Sequence, residues 1–251
     1  MIKKPLISII TPCFNEEDNI IFLHNAFIRA DKILSNEYDF QKESELNFSK
    51  INSFIKSNDV RFFYYPSSGS IYKLRKIDNQ QYKDYSDRKI FEENELENLS
   101  KNHNFSLIIP RIFTPIAPNY SKAKNLVLGY FLDSALKNKK ISIKSPSNNV
   151  ISYCYLFNLM ELVFEIIKNT KYPDIYKFDA VDENISLLDL ANKIVEVLNS
   201  KAEIEYNFDK NKKNENYTGN KKIYEKLKSD YLINDINFEQ SLLRCIEDNK
   251  L

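Results

Sequence analysis

Apolar residues along the chain follow two rhythms: short β-branched runs, and stretches that recur every three or four positions. The run 6–10, closed by Thr11 and Pro12, predicts a buried strand. Asn15 and the acids Glu16, Glu17 and Asp18 precede Ile20, Leu23, Phe27, Ala30 and Leu34. Those steps predict a helix with acids at its positive end. A second helix is expected over 43–56, with Leu46, Ile51, Phe54 and Ile55 inward, then a strand over 60–65 ending at Pro66-Ser67-Ser68-Gly69-Ser70. After a polar loop come a helix over 85–99 and a strongly apolar strand over 105–113. Further helices are expected at 122–136, 156–167, 187–198 and 238–247. Short strands are expected at 141–143, 150–155, 175–178 and 204–208, and a polar loop at 210–216. Strands alternating with helices argue for an α/β fold with a largely parallel sheet.

Composition narrows the function classes. With 43% hydrophobic residues, 16 Tyr and 17 Phe among 251, the chain can fill a core and is not disordered as a whole. Charge is balanced, 36 Lys+Arg against 35 Asp+Glu, which gives no basic footprint for nucleic acid. Cys13, Cys154 and Cys245 are odd in number, scattered and without a CxxC pair. They read as reduced core thiols of a cytoplasmic protein rather than a disulfide framework or a zinc site. No apolar run approaches the roughly 18 residues of a membrane span, and the start of the chain shows no signal-peptide cleavage site. His24 and His103 read as surface residues, the Phe62–Tyr65 aromatic run as core, and Lys137, Lys139 and Lys140 as a solvated helix end. Only three glycines occur, Gly69, Gly129 and Gly219, against an average usage of about 7%. Cofactor-binding α/β folds rely on glycine where backbone approaches a phosphate.

Two stretches carry family resemblances. Pro5-Leu6-Ile7-Ser8-Ile9-Ile10-Thr11-Pro12-Cys13-Phe14-Asn15-Glu16-Glu17 and the segment to about residue 40 resemble the opening of a family 2 glycosyltransferase. That family's metal-binding DxD is absent, since no two aspartates stand two apart. From about 45 to 235 the chain is similar to the extended short-chain dehydrogenase/reductases, the NAD-dependent nucleotide-sugar epimerases and dehydratases. Val60 through Tyr72 matches the strand ending in that family's serine, Tyr85-Ser86-Asp87-Arg88-Lys89 its YxxxK, and Leu107 through Phe113 the strand after that helix. The resemblance divides the chain at 42/43 into a glycosyltransferase-like βα unit and an epimerase/dehydratase-like domain. It implies a Rossmann-like, mostly parallel sheet with a truncated N-terminal half and a small C-terminal substrate-side α/β lobe.

The resemblance also assigns roles. Tyr85 would be the acid/base for a sugar hydroxyl, and Ser68 would share its proton. Lys89 would lower the tyrosine pKa and hold the nicotinamide ribose. Arg111 and Thr114 would contact substrate; for Arg111 a structural ion pair is an equal reading. YxxxK itself occurs seven times, at Tyr38, Tyr72, Tyr85, Tyr120, Tyr206, Tyr217 and Tyr224, so only its flanks single out Tyr85. The implied partner is a nucleotide sugar, and the implied cofactor is NAD or NADP if the protein is active, none if it is not. Helices around 43–57 and 85–103 would make a homodimer. Departures point away from turnover: there is no GxxGxxG, and Ile151 stands where relatives carry a diphosphate-gripping arginine. Three readings follow: a nucleotide-sugar epimerase/dehydratase of surface polysaccharide synthesis, a non-catalytic remnant or binding and assembly subunit, and a glycosyltransferase fragment.

Overall fold

The computed structural model describes residues 20–23, 40–74, 80–118, 126–171 and 173–247. The strand expected at 6–10, the glycosyltransferase-like turn and His24 lie outside them. In chain order the first elements are β1 (Ile20–Leu23), α1 (Phe40–Ser57), β2 (Val60–Tyr64), β3 (Ser67–Ser68), α2 (Ile71–Leu74), α3 (Gln80–His103), β4 (Ser106–Ile112) and β5 (Thr114–Ile116). They continue as α4 (Val127–Leu136), β6 (Ile141–Ile143), β7 (Val150–Tyr155), α5 (Leu156–Asn169), β8 (Ile175–Ala180) and β9 (Glu183–Ser186). Last come α6 (Leu187–Val197), β10 (Ile204–Tyr206), α7 (Lys222–Asp230) and α8 (Phe238–Glu247). The chain divides into two compact units, residues 1–111 with 166–178, and residues 112–165 with 179–251.

The first unit is built on a five-stranded sheet ordered β1-β2-β4-β3, with β8 also paired to β4. Strands β1, β2 and β4 are parallel: Phe22 lies opposite Phe63, and Phe63 opposite Leu107. The helix expected to run from Asn15 through Leu34 is therefore corrected at Ile20–Leu23, which is a strand. Ile-Ile-Phe-Leu is a continuous apolar run, the mark of a strand in a parallel sheet. Sparse steps of three and four read on either side of it were an ambiguous signal. Strand β4 buries every residue except Arg111, as a central parallel strand does.

Helix α1 turns Phe48, Ile51 and Ile55 inward at helical spacing and packs against α3. Together with Phe63, Tyr65, Leu96, Phe105, Leu107 and Ile109 they form one core. Each such side chain contributes about 1.5–3 kcal/mol by leaving water. Helix α3 is the unusual element. Its buried stripe runs Tyr85, Lys89, Glu92, Glu93, Leu96, Leu99, so two turns of it are charged rather than apolar.

The second unit holds a three-stranded sheet, β5-β7-β9, and a two-stranded one, β10-β6. Strand β7 runs parallel to β5 and antiparallel to β9. Its core gathers Phe131, Leu132, Ile141, Tyr153, Leu190, Ile194 and Leu242. Helix α6 begins with a reciprocal cap: the Ser186 hydroxyl accepts from the Asp189 amide at 3.1 Å and donates to the Asp189 carboxylate at 2.6 Å. Strand β9 and helix α7 were absent from the sequence reading. Glu183–Ser186 carries one apolar residue, so only its pairing with β7 makes it a strand.

Scarcity of glycine shapes the helix ends. Left-handed backbone appears at Asn104, Asn138 and Asn199, just beyond α3, α4 and α6. Asparagine tolerates positive φ better than other side chains, and here it takes the position that glycine usually fills. At Asn138 the fit is close: the Asn138 amide donates to Ala135 and the Lys139 amide to Ser134, while the Asn138 side chain accepts from the Lys201 amide.

Candidate functional site

Strand β3 carries Ser67 and Ser68 into the first unit, both buried. The Ser68 hydroxyl lies 2.6 Å from that of Ser70 and accepts from the Ser70 amide at 3.2 Å, which closes the turn into α2. Tyr85 is buried near the start of α3, and Lys89 follows one turn later with 11% of its side chain exposed. The Lys89 ammonium donates to the Tyr65 hydroxyl at 2.7 Å and to the Glu92 carboxylate at 3.1 Å. Glu92 also accepts from the hydroxyls of Ser44 and Tyr65, and from Arg88 Nε at 3.1 Å. Arg88 reaches back to α1, to the Ser44 hydroxyl at 3.1 Å and the Ser44 carbonyl at 3.3 Å.

The electrostatics follow this geometry. Burial alone pulls the Lys89 pKa down, but Tyr65, Glu92 and Tyr85 more than reverse this and hold the ammonium charged. Burial raises Glu92, and Lys89 with the Ser44 and Tyr65 hydroxyls outweighs it, leaving the carboxyl below the usual range. Burial and Glu92 push the Tyr65 phenol up against the pull of Lys89, so at neutral pH Glu92 is the counter-ion.

The next residue, Glu93, anchors a second network. It accepts from Arg111 at 2.6 and 3.1 Å, from Ser67 at 2.5 Å and from Lys177 at 3.0 Å. Lys177 also reaches Glu97 at 2.7 Å, and Arg111 donates to the Tyr72 hydroxyl. Burial raises the Glu93 pKa, and Arg111, Ser67 and Lys177 bring it below the usual value. Ser68, Tyr85, Lys89 and Arg111 all lie in the first unit, with Lys89 committed to Glu92 in one network and Arg111 to Glu93 in another. Glu92, Glu93, Tyr65 and Ser44 were missed in the sequence. Two adjacent glutamates on the inward stripe set by Tyr85, Lys89 and Leu96 were the available signal.

In the second unit Thr114 is half-buried at the start of β5. A cavity of about 320 Å3 opens beside α4 and β6. Phe131, Ile143 and Leu187 are its buried walls, and Leu126, Val127 and Lys144 stand exposed at its rim. The Tyr130 hydroxyl, also on the wall, accepts from the Ser142 amide at 3.2 Å. Ile151 packs against the core and pairs with Ile185. Elsewhere the unit holds a buried ion cluster in which Lys228 bonds Asp182 at 2.8 Å and also contacts Asp235, and Asp182 accepts from the Tyr155 amide at 2.7 Å. Burial pushes the neighbouring Cys154 thiol up, so it is a core group rather than a nucleophile.

A parallel sheet whose second strand leads into Ser67-Ser68 is followed by a helix bearing Tyr85 and Lys89 one turn apart, and residues 27–177 match the model of the NAD dependent epimerase/dehydratase family. The chain belongs to that family. The match begins inside the stretch that resembles a glycosyltransferase. No curated protein matches the sequence.

Solved structures with the same fold include UDP-N-acetylglucosamine 4-epimerase from Methanobrevibacter ruminantium M1 in complex with UDP-N-acetylmuramic acid. It is 13% identical with a TM-score of 0.69, over 93% of this chain and 76% of that one. The dTDP-glucose 4,6-dehydratase of Bacillus anthracis str. Ames in complex with NAD is 15% identical with a TM-score of 0.58, over 82% of this chain and 66% of that one. The RMD protein of Pseudomonas aeruginosa complexed with NADPH is 12% identical with a TM-score of 0.69, over 93% and 82%. At these identities the likeness is one of fold. Among the described residues no helix is long and apolar enough to cross a membrane.

NAD or NADP is the cofactor on which turnover in such a protein would draw. The residues of this chain fit it poorly. No segment of the 251 residues offers a glycine-rich turn for a pyrophosphate, and two of the three Lys89 N–H donors go to Tyr65 and Glu92.

Proposed function

We propose that the protein binds a nucleotide sugar in the cavity beside α4 and β6. The observation that carries this reading is the cavity's make-up. Its walls are apolar and aromatic, of a size that takes a small ligand, and its rim bears one cation, Lys144, with no ion-pair partner among the described residues. A base would rest on Phe131 and Ile143, and a phosphate would face Lys144. The neighbour from Methanobrevibacter ruminantium M1, in complex with UDP-N-acetylmuramic acid, supports that ligand class. The family resemblance supports Tyr85 with Ser68, within the first unit, as a pair able to exchange a proton with a hydroxyl, and Arg111 and Thr114 as polar groups able to contact a substrate. The setting would be surface polysaccharide synthesis in the cytoplasm, by a homodimer formed through α1 and α3.

Titration of the full chain with UDP-N-acetylglucosamine and UDP-glucuronic acid by calorimetry tests the binding. We expect saturable binding, and at least tenfold weaker binding in Lys144→Glu, whose carboxylate would repel the phosphates. Absence of heat at millimolar ligand, with the protein folded, overturns it. The non-catalytic reading has its own support in the occupied Lys89 ammonium. NAD-dependent turnover that disappears in Tyr85→Phe would end that reading.

A further inference from the structure

We infer that Glu92 and Tyr65 capture the Lys89 ammonium, so that in this protein Lys89 is the counter-ion of a buried carboxylate and not the ligand of a dinucleotide ribose. The inference stands apart from the nucleotide-sugar reading, because every group in it belongs to the first unit.

Geometry carries the argument. Lysine has three N–H donors and no acceptor. Two of the Lys89 donors are directed at Tyr65, 2.7 Å away, and Glu92, 3.1 Å away. The two acceptors are themselves joined, since the Tyr65 hydroxyl donates to Glu92. The result is a closed triangle of ammonium, phenol and carboxylate, with Lys89 and Glu92 exposing 11% and 6% of their side chains. Ser44 and Arg88 complete the carboxylate's partners from α1 and α3. The Lys89 ammonium also lies 5.0 Å from the centre of the Tyr65 ring.

Releasing Lys89 toward a ribose would leave Glu92 buried with one cation, Arg88, and would break the bond from Lys89 to the Tyr65 hydroxyl. Breaking a buried pair costs more than the pair contributes when intact, because an uncompensated charge remains inside. A weakly held ribose hydroxyl cannot offset that. Position 92 decides the matter. A neutral residue there would leave the ammonium nothing anionic within its triangle.

The test combines stability, dinucleotide binding and labelling on the full chain. Thermal unfolding is followed for wild type, Lys89→Met, Glu92→Gln and the double variant. Each single variant should lower Tm by on the order of 10 °C, and the double by clearly less than the sum, since it leaves neither charge unpaired. NAD and NADPH titrations should give the same result for wild type and Lys89→Met. If the singles do not fold, reductive methylation of the wild type read by mass spectrometry replaces them. Lys89 should stay unmodified with or without 5 mM NAD (roughly fifty times a 0.1 mM Kd). Additive Tm losses, a tenfold loss of dinucleotide affinity in Lys89→Met at unchanged Tm, or Lys89 methylation that NAD prevents would each overturn the inference.

Discussion

At the scale of single residues the backbone records where glycine is missing. Asn104, Asn138 and Asn199 manage positive φ with a side chain suited to it, whereas Leu232, at φ 54°, does not. Leu232 follows α7, its amide donates to Ser229 at 3.2 Å, and its side chain is 89% exposed. A left-handed leucine costs roughly 1–2 kcal/mol of steric energy, and so exposed a side chain regains little by packing. Leu232→Asn is expected to stabilise the protein by about 0.5–1 kcal/mol, raising Tm by roughly 1–4 °C in a thermal melt. An unchanged or lower Tm would mean that Leu232 packs in solution. Gly219 is the opposite case: a methyl there would overlap the Phe113 ring, so glycine suits this position for space rather than for φ. None of this was legible in the sequence, since positive φ at a leucine has no compositional signature.

At the scale of elements, most helices and strands were legible because their apolar periodicity survives tertiary contact. Phe238–Glu247 and Ile141–Ile143 fall where the pattern places them. Helix α3 was legible in place, though it runs over Gln80–His103 rather than over 85–99, but not in character. Its pattern predicted a helix and no particular buried face, and the structure fills two turns of the buried stripe with Lys89, Glu92 and Glu93. Charges can occupy such positions only with partners from other elements, here Ser44 and Tyr65, or Arg111 and Lys177, and those pairings are invisible along the chain. This predicts an acid response. Both glutamates titrate below the ordinary 4.5 when folded, so the unfolded chain binds their protons more readily. Their stabilisation is therefore full above about 4.5 and is lost as pH falls through the lower folded values. In wild type, Tm should fall steeply once pH drops below that point. The Tm gap between wild type and Glu92→Gln should narrow over the same range. A gap that stays constant down to pH 3 (about 1.5 units below an ordinary glutamate) would show Glu92 not to be ionised and paired at neutral pH.

At the scale of the whole molecule, the family was legible and the state of its chemistry was not. Ser67-Ser68 and Tyr85-x-x-x-Lys89 named the fold because strand end, helix and spacing must occur together. Whether Lys89 faces a cofactor depends on Glu92, which no family motif in the sequence singled out. The two cysteines of the second unit offer a way to ask whether that unit recognises ligand independently of a cofactor. Cys154 and Cys245 are both fully buried, and burial holds the Cys154 thiol in its unreactive form. A thiol reagent should therefore reach them only when the unit opens. Where opening and closing are fast relative to labelling, the rate follows the open population. A ligand that binds the closed form at about 100 times its Kd contributes about 2.7 kcal/mol, and labelling should slow roughly a hundredfold. A UDP-sugar should produce that slowing at both cysteines, and NAD should produce none. Protection by NAD alone would place a dinucleotide on this unit and reverse the assignment of its cavity. Labelling of both thiols unaffected by either ligand, at concentrations where calorimetry shows binding, would mean that the cysteines are exposed by local motions outside the ligand's reach.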